Sequence, residues 1–331
     1  MKKRLSVLLG ILFSIIIIYF LFKELDFDLD SIWVSMKKVP IYIFVLSFVL
    51  NMGTIVVRSF LFKKVLQDKV STKSLIGIVC DYQFYNNFLP YRTGELSYLI
   101  LMGTKEKIPL GESSASLLIS RIFDFLAFIL LLMVSLILIN IKHPLLAENS
   151  NLSYVILISL FLFFTFVLIK AEFFFKIADK ILNIKRIKSL KFSDYLNRKL
   201  KEMKDCFLTI KSPLKLAYFL SLSLILGVLV YLNTCIFLVA LGIHLNIFQV
   251  VIAMSVTILT ILLPVQGFAN LGTFEGTFLL GLLIFDVDKS MAIPAIFTLH
   301  IYSYLVITLT FLLGKLLFSK WMQKSLRVIS K

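Results

Sequence analysis

The chain is poor in charge, cysteine and histidine. Only 16% of its 331 residues are Asp, Glu, Lys or Arg, against about 25% in an ordinary soluble chain. That deficit excludes a soluble globular domain and a disordered chain. The three cysteines, Cys80, Cys206 and Cys235, lie far apart with no CxxC pair, so neither a disulfide scaffold nor a zinc site is signalled. The three histidines, His143, His244 and His300, are scattered, and no Ser/His/Asp spacing offers a nucleophile with its base. No cofactor and no metal are expected.

What the chain does have is apolar mass: 59% of it is hydrophobic, including 32 phenylalanines. These residues fall in long runs bounded by charges, the pattern of a polytopic membrane protein. The formal net charge is +16. With this hydropathy the basic excess reads as positive-inside orientation and attraction to an anionic inner leaflet, not as nucleic-acid binding.

Lys2, Lys3 and Arg4 precede an apolar run, Leu5–Phe22. It is longer than the core of a signal peptide and no small-x-small cleavage site follows, so it reads as a retained first span. Further runs follow at Ile41–Phe62, Leu75–Leu89, Ser113–Ile141, Leu152–Ile169, Leu216–Leu241, Ile247–Leu263, Thr273–Phe285 and Met291–Phe318. A full span needs about 20 residues. Leu75–Leu89 and Ile247–Leu263 are short; each ends at Leu-Pro and is followed by a polar, glycine-containing stretch and a second short apolar piece.

Loop charges decide how these pieces run. With the N-terminus inside, loop 23–40, bearing Glu24, Asp26, Asp28 and Asp30, falls outside. Reading each Leu-Pro element as a re-entrant hairpin keeps loop 170–215, with its thirteen Lys or Arg, inside. The C-terminal Lys320, Lys324, Arg327 and Lys331 then also fall inside. The expectation is an all-α membrane domain over 1–331, with six full spans and two re-entrant broken-helix hairpins. It forms an inverted-topology repeat, 5–141 and 152–318, as in many secondary transporters. Within the inner loop, Leu196, Leu200, Met203 and Phe207 share one helical face. They predict either an amphipathic helix on the inner leaflet or a helix docked under the bundle.

Charged residues inside apolar segments need partners or a water-lined cavity. The densest group is in the first hairpin: Asp81, Tyr82, Tyr85, Asn86, Asn87, Pro90, Arg92, Gly94 and Glu95. Pro90 and Gly94 break the helix. A new helix from Glu95 would aim free N–H groups into the break, and Arg92 would add a phosphate donor; the alternative is a structural Arg92–Glu95 clasp. The second hairpin, with breaks at Pro264, Gly267 and Gly272, offers Gln266, Asn270, Thr273 and Glu275 but no base. Gly272 to Gly276 is also a GxxxG spacing, whose plain reading is close helix packing. Arg121 and Asp124 stand at i and i+3 and either neutralise each other or meet Glu95 or a lipid phosphate. Arg58, one turn from the end of its span, reads as snorkelling to the interface. His300 takes the place of Arg121 in the second half, as a packed hydrogen-bonding group or a functional one.

These residues resemble a known family, the transmembrane region of lysylphosphatidylglycerol synthases, also found alone in flippase-like proteins. The resemblance is carried by Asn87-Phe-Leu-Pro-Tyr-Arg-Thr-Gly-Glu95, Ser120-Arg-Ile-Phe-Asp124, Leu263-Pro264 through Gly272-Thr-Phe-Glu275, and Arg58. The chain departs from the family pattern where Phe274 precedes Glu275, where Asn270 replaces a glycine, and where His300 stands in place of an arginine. The resemblance implies flipping of an anionic phospholipid or lipid-linked substrate across the bacterial inner membrane. The substrate-binding residues would be Asn87, Arg92, Glu95, Arg121, Asp124, Gln266, Asn270, Glu275 and His300, with none catalytic. In two-domain members a soluble C-terminal domain makes aminoacyl-phosphatidylglycerol; no such domain is expected here, because the chain ends soon after its last apolar run. The alternatives are a phosphatidylglycerol lysyltransferase-type enzyme, an accessory subunit of a polymer or glycolipid synthesis complex, and a small-solute or ion transporter. A homo-oligomer or a synthase partner is left open.

Overall fold

A computed structural model describes residues 29–89, 94–139, 150–183, 193–261 and 268–329. The expected first span, Leu5–Phe22, the breaks at Pro90, Pro264 and Gly267, and the expected substrate-binding residues Arg92 and Gln266 lie outside them. The described residues form twelve α-helices and no strand: α1 Leu29–Lys38, α2 Ile41–Val65, α3 Thr72–Phe88, α4 Glu95–Lys105, α5 Leu110–Leu138, α6 Ser150–Ile169, α7 Ala171–Leu182, α8 Ser193–Thr209, α9 Pro213–Ala240, α10 Ile247–Ile261, α11 Thr273–Leu283 and α12 Lys289–Ile329.

Four of these helices are long and apolar enough to cross a bilayer: Ile41–Val65, Leu110–Leu138, Pro213–Ala240 and the Lys289–Leu317 part of α12. Their outward faces, such as Ile41, Val45 and Val49 on α2 or Leu305, Leu309 and Leu312 on α12, are exposed. In water such a belt would drive aggregation; in a membrane it is the lipid face. The expected span Leu152–Ile169 is helical, but after Lys170 the chain turns by 70° into α7, so the two helices are either one broken span or two elements.

The shorter helices pair. Helix α3 begins at Ser71, whose hydroxyl accepts the Ser74 N–H at 3.2 Å. It ends at Leu89, extended at φ −84° and ψ 138°, because a residue before proline avoids the helical region. Helix α4 packs back along α3. The return passes so close that a Cβ on Gly94 would lie 2.2 Å from the Asn86 Cα. The pair α10 and α11 repeats this arrangement, joined by Thr277 Oγ1 to Thr257 Oγ1 at 3.2 Å. Close approach here falls at Gly281, where a Cβ would meet the Ala253 carbonyl at 1.8 Å. Gly276 meets nothing within 4 Å, so the Gly272–Gly276 spacing does not mark the packing contact.

Helix α8, carrying the Leu196–Phe207 stripe, docks under the bundle. Its Glu202 carboxylate accepts the Gly111 N–H at 2.9 Å, and Phe207 meets Phe175 of α7 edge-on at 5.4 Å. Cys206 beside it is buried, which pushes its thiol up to about 11. Of the two readings of this stripe, docking is the one observed.

Two apolar cores result. One gathers Phe62, Tyr98, Phe123 and Phe219 with α8; the other gathers Phe237, Phe278, Ile296 and the end of α5. Arg58, Gln83, Asp124 and Ser223, from α2, α3, α5 and α9, line a cavity bordered by residues of both cores.

Candidate functional site

Three helices converge at Asp124. Arg58 Nη1 on α2 donates to its two carboxylate oxygens at 2.8 and 2.7 Å and to the Ser120 hydroxyl at 2.5 Å. Ser223 on α9 donates to Asp124 Oδ1 at 3.1 Å. Arg58 therefore does not snorkel: it turns inward, because an unpaired carboxylate among apolar helices costs more than ordering a long side chain.

One turn earlier on α5, Arg121 reaches the first hairpin. Its Nη2 donates to Glu95 Oε1 at 3.0 Å and to the Tyr82 hydroxyl. Asp124 is a weaker partner, 3.9 Å away. The first turn of α4 is thus held by a guanidinium from another helix. The cluster of Arg58, Arg121, Asp124 and Glu95 carries no net charge.

This cluster borders a cavity of about 370 Å³ walled by Arg58, Arg121, Asp124, Tyr82, Asn86 and Asn87, with apolar residues of α9 and α10 completing it. A second chamber of about 240 Å³ adjoins it and shares Thr54, Gln83, Asn87, Val230 and Met254. Asn270 and His300 line the second chamber.

The second hairpin carries its own acid–base pair. Glu275 is buried, with Oε1 against His300 Nδ1 and Oε2 accepting the Gly272 N–H at 2.7 Å. Gly272 has φ +83° and Ala269 φ +54°; the tight turn they make brings the carboxylate back over its own helix start. The acid and base are 26 residues apart in the Glu95–Arg121 pair and 25 in the Glu275–His300 pair.

The two breaks meet at Tyr304 of α12. Its hydroxyl lies 2.9 Å from the Asn87 carbonyl, at the end of α3, and 2.6 Å from the Ala269 carbonyl in the second break. Asn87, Asn270 and His300 therefore gather around one point, while Arg121, Asp124 and Glu95 form the node beyond it. Glu275 is not a wall of either chamber; His300 covers it. Arg92 and Gln266 fall outside the described residues. Asp81 leaves the group altogether: Lys105 at 3.2 Å and Lys315 at 2.8 Å hold it.

Sequence reasoning missed the wall residues Asn51, Gln83, Asn233 and Ser223. The signal was available, since each is an amide or hydroxyl within an otherwise apolar helix. Among the described residues no cluster of three or more His, Cys, Asp or Glu could hold a metal ion.

Comparison with curated proteins gave no match, and neither did comparison with solved structures. Residues 7–310 match the family model described as the lysylphosphatidylglycerol synthase TM region. That match covers most of the helical bundle, and the chain belongs to the lysylphosphatidylglycerol synthase TM-region family.

Proposed function

We propose that the protein moves a phospholipid or lipid-linked substrate between the leaflets of the cell membrane. The observation that carries the reading is the Arg58–Asp124 and Arg121–Glu95 node, set beside a 370 Å³ cavity where two broken-helix hairpins meet. Permanent guanidinium charge is costly in the membrane interior and marks a pathway for an anionic group. An entering phosphate can replace Glu95 or Asp124 as the arginines' partner, so each charge exchanges one ionic contact for another.

The chain order supports an inverted repeat. A long helix, a hairpin and a long helix (α2, α3–α4, α5) recur as α9, α10–α11, α12, and each hairpin's glutamate meets a base on the following long helix. In this reading the hairpins are re-entrant, both termini are cytoplasmic, and the repeats 5–141 and 152–318 rock about the shared cavity. The basic residues of α7 and α8 then lie on the side of the anionic inner leaflet.

Purified protein in liposomes should accelerate exchange of a fluorescent phospholipid between leaflets, read by an impermeant quencher. Arg121→Ala should abolish the acceleration. Equal rates in empty liposomes, or full activity in Arg121→Ala, would overturn the reading.

A further inference from the structure

The smaller chamber has a chemistry different from the arginine node. Its walls include Asn51 of α2, Gln83 of α3 and Asn233 of α9, with Ser303 of α12. Asn51 Oδ1, Gln83 Oε1 and Asn233 Oδ1 are buried and meet no hydrogen-bond donor among the described residues; Asn86 Oδ1, on the wall of the larger cavity, is in the same condition. A buried polar atom left unpaired costs about 1–3 kcal/mol. Four such acceptors on three helices, bordering joined chambers, point to a ligand that brings donors.

The donors are hydroxyls rather than an ammonium. Ammonium in a membrane interior needs a counter-charge. Its described walls carry no acid, and Glu275, behind the wall residue His300, has both oxygens engaged, one by His300 and one by the Gly272 N–H. Amides both donate and accept, and so does each hydroxyl of a polyol. The chamber, about 240 Å³, has space for a glycerol or a single sugar ring.

We propose that this chamber binds the neutral, hydroxyl-bearing part of a lipid headgroup while Arg58 and Arg121 hold its phosphate. The assignment rests on the lipid reading of the cavity; binding tests it without requiring transport. The shared walls at Thr54, Gln83 and Asn87 make the two chambers one bidentate site for a polyol phosphate ester.

The test is competitive lipid binding to the full chain in nanodiscs, read by native mass spectrometry. Phosphatidylglycerol and phosphatidylinositol should bind at least about tenfold more tightly than phosphatidylethanolamine and phosphatidic acid. Asn51→Leu with Asn233→Leu should erase that preference and leave phosphatidic acid binding unchanged, which also shows that the variant is folded. If the double variant does not fold, Gln83→Leu serves in its place, and the wild-type ranking decides on its own. Equal binding of phosphatidylethanolamine, equal binding of phosphatidic acid, or a preference that survives the substitutions would overturn the proposal. Soluble glycerol 1-phosphate and inositol 1-phosphate form a further arm: competition as strong as the lipids' would keep the polyol phosphate and overturn the lipid. Leaflet exchange without the ranking refutes this site alone; the ranking without exchange refutes translocation alone.

Discussion

Asp124 offers the sharpest separation of stability from function. Asp124→Asn keeps the shape but removes the charge that two oxygens of one carboxylate present to Arg58, at 2.8 and 2.7 Å, and that Ser223 supports at 3.1 Å. Breaking a fully buried pair on one side costs about 3–5 kcal/mol. Here the side chains of Arg58 and Asp124 keep 19% and 23% of their exposure through the cavity, so water offsets part of that loss and the expected cost is about 2–3 kcal/mol. For a chain of 331 residues that lowers the melting temperature by roughly 3–4 °C, read by thermal unfolding in detergent. The neutral pair Arg58→Met with Asp124→Leu removes both charges, so it should recover most of the loss. It should not recover leaflet exchange, because one of two phosphate donors has gone. An unchanged melting temperature in Asp124→Asn would show that the pair is not a paired buried charge. A double variant no better than the single ones would show that volume, not charge, sets the cost. Exchange restored in the double variant would remove Arg58 from the proposed site.

Three further outcomes are expected. Gly94→Ala places a Cβ 2.2 Å from the Asn86 backbone, so the first hairpin cannot close and the yield of monodisperse protein on size exclusion should collapse; Gly276→Ala, at open space, should leave it unchanged. Tyr304→Phe removes the hydroxyl between the two breaks and should cost about 1–2 kcal/mol, with faster proteolysis or hydrogen exchange at Asn87 and Ala269. The Cys206 thiol, held up to about 11 by burial, should react with a maleimide about a hundredfold more slowly than a free thiol of ordinary pKa at pH 7.5; Phe207→Ala should restore the rate by loosening α8, and a fast wild-type reaction would argue against docking.

The helices and their pairing were legible because apolar runs and Leu-Pro breaks act locally. Proline before a turn and glycine after it determine where α3 ends and α4 begins, whatever the rest of the fold does. The ion pairs were only half legible. Arg121 and Asp124 stand three residues apart and invite pairing, yet each finds its nearer partner on another helix, Glu95 and Arg58 respectively. Local spacing favours i,i+3 contacts weakly, whereas a bilayer-embedded charge takes the closest full partner the packing provides. Arg58 was misread for the same reason: its position near a helix end fits snorkelling until α5 is seen beside it. Asn51, Gln83 and Asn233 were invisible as a group, because they come from three segments and no short motif joins them. The stripe on α8 was seen, but an amphipathic face fits a lipid surface and a protein surface equally well, and contacts such as Gly111 with Glu202 and Phe175 with Phe207 distinguish them.

Tyr304 makes the two breaks rivals. A phenol has a single proton, and it stands before two carbonyls, at 2.9 and 2.6 Å. When the bond goes to Ala269, the carbonyl of Asn87 must look elsewhere, and the cavity beside it is where water or an incoming hydroxyl can answer. When the bond goes to Asn87, the debt moves to the other break. The difference between these arrangements is the worth of one exchangeable hydrogen bond, about 1 kcal/mol, small enough for a bound guest to decide it by rotating one O–H.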